Sequence, residues 1–465
     1  MTRPFTIQPG PAQRPTETPI AAPVPPPAVT APVLPPEVVQ ASLRASIKDA
    51  SAWSIMQGAG TNYLTPFLIL GGKQLLPLAL FAALPALVGG VVQCISANVT
   101  DVVGRRNRII IPTAFAQAMI WLPICVAIFL PIGVGYWLLL ACFVGFVGLA
   151  NFGTPAWQSL MGDLVPPERR GRYFGLRNAL SGGVLVAAFW LGGLWLNWCQ
   201  RAPVLAAWGG RDAGFLVLFA LAGVARLVST WYLTKVHEPA YQHVPGDRFS
   251  LLDFLRRAPR AHFGRFVFYC AAMNAGFGFT GPFLPWYFLN QRGYSPGMYA
   301  TLVAASLLAG VLSQPLWGRL NDRFGSKWVM AVGGLGTTLW PLLMLTCERP
   351  RHFAAVMAYD GIVTAAFTIG IGNYLYDVVT PPKRVRCAAY NTLFVAVGSA
   401  AGALLGAALG LLTKLLLRVV GLTVGHPFTL LLLVSAAVRL LANFLLLGTF
   451  AEFRLRRPAF EPEPG

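Results

Sequence analysis

Charged residues are scarce in this 465-residue chain. Asp, Glu, Lys and Arg together make up 11% of it, against roughly a quarter in ordinary soluble domains. Acidic residues are the scarcer kind, with 17 Asp and Glu against 36 Lys and Arg and a net charge of +19. Hydrophobic residues reach 55%. The composition therefore argues against a water-soluble globular protein and indicates an integral membrane protein.

Residues that carry chemistry are also few and scattered. The seven cysteines lie singly in or beside apolar stretches, without a Cys-x-x-Cys pair. Three of the five histidines fall in one polar loop, without metal-ligand spacing. Nucleophile-elbow and phosphate-loop motifs are missing as well. The sequence therefore predicts no disulfide framework, no metal site, no cofactor and no catalytic residues, and an enzyme is not expected.

Long apolar runs dominate what is present. A helix needs about 20 apolar residues to cross the roughly 30 Å hydrocarbon layer, and twelve such runs alternate with short loops. They lack the period-2 alternation of barrel strands, so only helices satisfy their backbone hydrogen bonds in lipid. The predicted spans are 47–71, 75–97, 109–130, 133–160, 175–199, 213–234, 266–289, 298–317, 328–346, 353–377, 387–411 and 427–449.

Positive charge collects in alternate loops. The loops after even-numbered spans hold clusters such as Arg105 and Arg106, whereas the other loops hold far fewer basic residues. By the positive-inside rule, both termini and the central loop are expected in the cytoplasm. Because the charge follows the loops, nucleic-acid binding is not expected.

The two halves of the chain repeat one another. The stretch ANVTDVVGRRN aligns with GRLNDRFGSKW at a shift of 221, and GDLVPPERRGR aligns with YDVVTPPKRVR at a shift of 214. The sixth and twelfth spans align at a shift of 213, which pairs Arg226 with Arg439. Each match falls at the same place in its half. The chain is therefore divided into two six-helix repeats, and the paired arginines are expected either to make structural contacts or to snorkel towards the interface.

The remaining segments are expected to be a tail, a linker and a second tail. Residues 1–39 contain twelve prolines, which favour extended chain over helix. The stretch lacks the basic start and apolar core of a signal peptide, so it is expected to be retained. Within the linker, SLLDFLRRA is expected to form a short basic amphipathic helix on the inner leaflet. The predicted domains are a disordered tail at 1–40, halves at 41–236 and 262–453, a linker at 237–261 and a tail at 454–465.

Two six-helix repeats, each with a basic glycine-containing loop after its second helix, resemble the major facilitator superfamily of secondary transporters. The family pattern of this loop is G-x-x-x-D-R-x-G-[RK]-[RK]. The second half matches it with Gly318, Asp322, Arg323, Gly325 and Lys327. The first half matches it with Asp101, Gly104, Arg105 and Arg106. Ala97, Val102 and Ser326 depart from it. The resemblance implies an all-α integral membrane fold of twelve transmembrane helices in two pseudo-symmetric bundles.

In this family the loop contacts hold the inner gate shut in the outward-open state. The resemblance therefore implies that the matching residues form a cytoplasmic gate, together with Asp163 and Asp377 at the inner ends of helices 4 and 10. Glycine at the eighth position permits a tight turn. Since the second half keeps the leading Gly and inner Arg that the first half has lost, Asp322 and Arg323 are expected to contribute more to the gate than Asp101.

The family places its substrate cavity between helices 1, 4, 7 and 10 near the bilayer midplane. Polar side chains within lipid-spanning segments are costly and so indicate a site, although helix packing and interface anchoring are open alternatives for each. The candidates are Gln57, Asn62, Tyr63, Asn151, Trp157, Gln158, Asn274, Trp286, Tyr287, Asn373, Tyr374 and Tyr376. Asp360, a carboxylate inside helix 10, is the candidate for proton coupling, with a wetted or Arg-paired carboxylate as the alternative.

The resemblance implies a secondary active transporter that moves a small molecule by alternating access, expected to be coupled to a proton or other gradient. The Gly-Pro pair of drug antiporters and the Pro-Glu-Ser-Pro-Arg signature of sugar porters are both missing, so the substrate stays open. The alternatives are a transport-inactive member of the fold acting in assembly or delivery and, third, a membrane enzyme. The expected setting is a monomer in a bacterial inner membrane, with the lipid bilayer and a small-molecule substrate as its partners.

Overall fold

The computed structural model describes residues 35–166, 169–202, 210–239, 250–379, 383–420 and 427–451. Side chains at 97–98, 100–102, 385, 414, 416–420 and 427 lie outside that description. Every regular element in these ranges is a helix, as the sequence predicts.

The long helices are α1 Pro36–Met56, α2 Asn62–Leu70, α3 Leu75–Val103, α4 Asn107–Ala127, α5 Ile132–Leu164, α6 Arg170–Arg201, α7 Arg211–Leu233, α9 His262–Gly278, α10 Pro296–Phe324, α11 Ser326–Leu345, α12 Pro350–Val378, α13 Arg384–Val420 and α14 Pro427–Leu446. A short helix, α8 Leu251–Arg257, lies in the linker. It confirms the predicted helix in SLLDFLRRA.

Ten helices in the described ranges are long and apolar enough to cross a membrane. They correspond to ten of the twelve predicted spans. The predicted spans 47–71 and 266–289 fall instead on helices that are interrupted, so the count of twelve does not follow from helix length and composition alone.

Both interruptions fall at glycine or proline positions. Between α1 and α2 the chain widens into a π-helical turn, Gln57–Thr61, where Gly58 and Gly60 lie tightly against α6 and against Trp121. After α9 the chain forms a 3₁₀ turn, one α-helical turn and a π-helical turn, together Gly281–Gln291. Pro285 lies in this segment, and a proline lacks the N–H that a continuous helix needs.

The ends of the helices follow turn and cap chemistry. Gly104 and Gly325 have φ of 64° and 95°, conformations that side chains with a Cβ rarely adopt, which confirms the tight turns expected in both loops. Helix α8 starts with a capping box in which Ser250 and Asp253 bond each other's backbone N–H. The hydrogen bonds from Ser250 lower the pKa of the Asp253 carboxyl.

Helix α1 begins at Pro36, within the stretch assigned to the tail. Proline is tolerated at this first helical position because its N–H would have no partner there. The proline-rich residues 1–34, like the tail 454–465, lie outside the described residues.

The helices run between two ends of one bundle. The end that holds the turns at 104–106 and 325 together with α8 is called the basic end, and the other is called the opposite end. Within the first half, α1 packs on α6 and α7, α4 on α5 and α7, and α3 on α5. Within the second half, α9 packs on α13 and α14, α12 on α10 and α11, and α11 on α14. The halves meet where α3 contacts α13 and α6 contacts α10.

At the opposite end the two halves are packed closely. Helix α2 contacts the segment Leu284–Gln291. Aromatic rings from both halves share one core, in which Phe189 lies 5.0 Å from Tyr63 and 6.0 Å from Tyr299 between ring centroids. The aromatic cluster fills the opposite end of the bundle, so the polar groups of the candidate site lie towards the basic end.

Candidate functional site

Arg106 is the centre of a charged network at the basic end of the first half. Its side chain is fully buried and pairs with Asp163 and, at 3.3 Å, with Glu238. The guanidinium also donates to the Ser159 hydroxyl at 3.2 Å and to the Pro239 carbonyl at 2.9 Å. A buried arginine needs such partners because an unpaired charge away from water is costly. The network ties the start of α4 to the end of α5 and to the linker.

Glu238 was missed by the sequence reasoning. Its carboxylate accepts from the backbone N–H of Arg106 and of Asn107 at the start of α4, where the helix dipole favours a negative charge. The signal was available, since Glu238 and Glu452 follow the sixth and twelfth spans at a shift of 214. Glu452 lies outside the described residues.

The second half places related residues at related positions. Lys327, which aligns with Arg106, donates to the Phe450 carbonyl and lies 5.1 Å from the Phe450 ring centroid. Ser326 departs from the family's basic position, yet its hydroxyl donates to Asp377 at 2.5 Å. The serine therefore keeps a contact between this loop and the end of α12.

The other predicted gate residues are more exposed to solvent. Arg105, Asp322 and Arg323 are exposed, and Gly318 is half-buried. The Asp101 side chain lies outside the described side chains. The four ion pairs found within the described residues do not include Asp322 or Arg323.

A cavity of about 330 Å³ lies in the first half, towards the basic end. Its walls come from α1, α4, α5, α6 and α7. The lining residues are Asp49, Ala50, Trp53, Ser54, Ile110, Thr113, Gln117, Leu149, Ala150, Gly153, Thr154, Trp157, Gln158, Arg177, Ser181, Arg226 and Leu233. Most of these side chains are apolar or neutral, but three are charged.

The charged side chains are joined by a chain of hydrogen bonds. Arg226 donates from Nε and Nη2 to the Gln117 amide oxygen, at 3.0 and 2.5 Å, and from Nη1 to Ser229. The Ser229 hydroxyl donates to Asp49 at 2.6 Å. The Arg226 guanidinium also lies 4.5 Å from the Trp53 ring centroid, a cation–π contact. One buried network therefore holds α1, α4 and α7 together.

Arg439, the repeat partner of Arg226, is buried in the same way in the second half. It donates to the Thr337 carbonyl at 2.7 Å and to the Thr280 hydroxyl at 3.2 Å. Its guanidinium lies 4.1 Å from the Phe277 ring centroid. Only 7% of Arg226 and 1% of Arg439 is exposed. Of the two expected roles, the structure therefore supports structural contact and contradicts snorkelling, because both side chains find partners inside the bundle.

The predicted cavity residues are spread over several environments. Trp157 and Gln158 line the cavity. Tyr63, Trp286 and Tyr287 belong to the aromatic cluster of the opposite end, where Tyr63 donates to the Phe189 carbonyl.

The remaining candidates occupy helix contacts or the surface. Asn151 and Asn274 donate to carbonyls of their own helices, at 2.9 and 2.8 Å. Tyr374 is buried and donates to the Ala451 carbonyl at 2.9 Å, whereas Tyr376 is exposed. Gln57, Asn62 and Asn373 are half-buried.

Asp360 lies where α10 crosses α12. Its carboxylate accepts from Ser306 at 3.2 Å and from Thr364 at 3.4 Å, and it interacts electrostatically with Arg439. The repeat-related arginines thus have acidic neighbours on different helices, Asp49 on the first helix of its half and Asp360 on the fourth.

Two charged residues of the cavity lie outside the predicted site residues. Arg177 lies seven residues into α6, and Asp49 lies in α1 before the π-helical turn. Their charge within apolar segments was the available signal. The family pattern drew attention to helices 1, 4, 7 and 10 instead, and so Arg177 on the fifth helix was passed over.

A family model described as Major Facilitator Superfamily matches residues 29–297 and 266–461. The chain is 25% identical over 379 residues to a multi-drug resistance efflux pump PmrA homolog from Lactococcus lactis, which covers 75% of this chain and 84% of that protein. It is 24% identical over 329 residues to a probable nitrate/nitrite transporter NarK2 from Mycobacterium tuberculosis, covering 70% and 76%.

Solved structures with the same fold include the nucleoside transporter NupG, with a TM-score of 0.65 at 14% identity, covering 88% of this chain and all of that one. A bacterial homologue of the lysosomal transporter Spinster, in an inward-facing and occupied conformation, has a TM-score of 0.62 at 16% identity. It covers 88% of this chain and 98% of its own.

Proposed function

Because the chain belongs to the Major Facilitator Superfamily, we propose that it is a secondary active transporter that moves a small molecule by alternating access. The observation that carries the proposal is the charged cavity within apolar helices. Charged side chains inside a membrane-spanning bundle are expensive and mark substrate or ion pathways. The energy source is a proton or other ion gradient, since the sequence offers no nucleotide-binding motif.

The proposed topology has twelve crossings in two halves, 41–236 and 262–453. It is supported by the interrupted segments 36–70 and 262–291, each of which joins the basic end to the opposite end. The basic end faces the cytoplasm of a bacterial inner membrane, and both termini lie on that side, because Lys and Arg favour the cytoplasmic loops. The short helix α8 then lies along the inner surface.

We assign the structure to the inward-facing state. Its support is the contrast between the aromatic cluster that joins the halves at the opposite end and the exposed Asp322 and Arg323 at the basic end. In the outward-facing state the loops 97–107 and 318–328 approach the other half and form the gate. The Arg106 network stays within the first half and acts as a fixed base for that movement.

Asp360 is proposed to couple transport to protons. A carboxylate between helices, with two hydroxyl neighbours and a nearby guanidinium, has alternative partners in its charged and neutral forms. Asp360→Asn is expected to abolish proton-driven accumulation while leaving exchange of substrate down its own gradient. Asp212→Asn, a half-exposed carboxylate at the opposite end, is the matched control and should keep proton-driven accumulation.

The test of transport is flux into liposomes that contain the purified full chain. A panel of labelled nucleosides, nitrate, carboxylates and cationic drugs follows the chemistry named for the relatives. The proposal expects accumulation of at least one compound that depends on an imposed gradient and collapses with an ionophore. Lack of gradient-dependent flux across the panel, together with a cavity that never becomes accessible from both sides, would favour the transport-inactive alternative.

A further inference from the structure

The cavity carries an excess of positive charge. Arg177 and Arg226 line it together with one acidic residue, Asp49, so two basic side chains face a single acidic one. The other lining side chains are neutral. A cavity of this sign attracts anions and repels cations, most strongly where water is scarce.

The hydrogen-bond donors of Arg226 are already used by side chains of the protein. All three of its guanidinium nitrogens donate to Gln117 or Ser229, and the ring of Trp53 covers one of its faces. Ser229 in turn links it to Asp49. This arginine therefore holds the wall of the cavity together and has little capacity for a ligand.

Arg177 is placed differently. Its Nη2 lies 4.0 Å from Asp49 Oδ2, which is beyond hydrogen-bond distance. Its Nε is buried and has no hydrogen-bond partner among the described residues. The guanidinium lies 4.6 Å from the ring centroid of Trp157, and 15% of the side chain is exposed. The Nε donor of a rigid five-donor fork thus lacks a protein partner beside an open volume.

A guanidinium fork matches a carboxylate, which accepts two parallel hydrogen bonds from it. The same cavity is lined by the apolar side chains of Ile110, Leu149 and Ala150. Its volume of about 330 Å³ is at the small end of ligand pockets. An organic cation would have to lie against two guanidinium groups with one carboxylate to balance them, which disfavours it.

We infer, on the basis of the proposed transport function, that the substrate is a small organic carboxylate that binds Arg177 in competition with Asp49. The carboxylate of the ligand accepts hydrogen bonds from the Arg177 guanidinium, which Asp49 approaches only to 4.0 Å. Its carbon body lies against the apolar wall. Trp157 fixes the plane of the guanidinium and is a positioning residue.

The test uses purified full chain and measures the ligand concentration dependence of its melting temperature. The probes are benzoate and lactate, their neutral amides benzamide and lactamide, and the cation benzylamine. Binding of a carboxylate is expected to be at least about tenfold tighter than binding of its amide, because a hydrogen bond to a charged partner is worth more than a neutral one. Arg177→Gln is expected to remove this preference.

Arg172→Gln is the matched control. Arg172 lies five residues earlier on the same helix, is exposed and does not line the cavity, so its variant should keep the preference. Arg177→Lys keeps the charge without the fork and should show weaker but still selective binding. Asp49→Asn removes the competing anion and should tighten carboxylate binding a few-fold, a gain that a misfolded protein would not give.

Equal binding of acid and amide, a preference for benzylamine, or a preference that survives Arg177→Gln would each overturn the proposal. The liposome assay separates this result from the fate of the transport proposal. Gradient-driven flux of other compounds without carboxylate binding rejects the substrate class alone. Carboxylate binding at Arg177 without flux of any compound rejects transport and leaves the site.

Discussion

Arg106 shows how one side chain joins three parts of the chain. The burial of this residue has no local signal, since it is one of three arginines within four positions. It is buried because Asp163 at the end of α5 and Glu238 after α7 converge on it. Its neighbours Arg105 and Arg108 remain exposed. The difference lies in the direction of each side chain around a helix start.

Replacing Arg106 should therefore destabilise the first half. Arg106→Ala leaves the half-buried Glu238 without its cation, and breaking such an ion pair from one side costs up to roughly 3 kcal/mol. The melting temperature of the purified protein should fall by several degrees. Arg108→Ala, which removes an exposed charge from the same helix start, should leave the melting temperature unchanged, and an equal effect of the two variants would contradict the assignment.

At the scale of elements, α13 carries a stripe of glycines at every fourth residue, Gly398, Gly402, Gly406 and Gly410. Such small residues let two helix backbones approach closely in a membrane. A Cβ at Gly398 would meet the Ala271 carbonyl oxygen of α9, and a Cβ at Gly402 would meet that of Ala275. The close crossing of α9 and α13 depends on the absence of side chains at these glycines.

Gly402→Ala is expected to lower the melting temperature, because its methyl group meets backbone that cannot turn aside, at a cost of about 1–3 kcal/mol. Gly372→Ala is the matched control on α12, where a Cβ meets nothing within 4 Å. There alanine should be neutral or stabilise by up to about 1 kcal/mol, since it is the better helix former. Equal changes in the melting temperature of both variants would show that the close approach of α9 and α13 does not determine stability.

At the scale of the whole molecule, the two halves touch along α3 with α13 and α6 with α10. Where α6 contacts α10 near the opposite end of the bundle, a Cβ at Gly297 would lie 3.2 Å from the Cβ of Asn197. This distance is close to the Cβ–Cβ separation of about 3.8 Å in a disulfide. The proposed alternating access requires this end to open. A cross-link here should hold it closed.

In a cysteine-free background, the double variant Asn197→Cys with Gly297→Cys should therefore lose gradient-driven flux on oxidation and regain it on reduction. Each single cysteine variant should keep its flux under both conditions. The extent of cross-linking is measured by mass spectrometry. Full cross-linking with undiminished flux would contradict opening at this end.

The sequence by itself determined the class of the protein, because hydropathy over about 20 residues and the distribution of Lys and Arg are local quantities. It also determined the repeat, because comparing distant stretches of one sequence needs no structure. The turns at Gly104 and Gly325 and the short linker helix followed as well, since each of these rests on residues close together in the chain. The interruptions within the predicted spans 47–71 and 266–289 came from glycine packing and proline. Their effect on a helix depends on the neighbouring helices.

Only the tertiary structure decided which polar residues share a site. A polar side chain in an apolar helix faces a cavity, another helix or lipid according to how that helix is rotated in the bundle, and the rotation is set by contacts with distant helices. Tyr63 and Trp157 looked alike as candidates, yet one lies in the aromatic cluster and the other in the cavity. Arg177 became a candidate because Asp49, 128 positions earlier in the chain, lies across the same cavity from it.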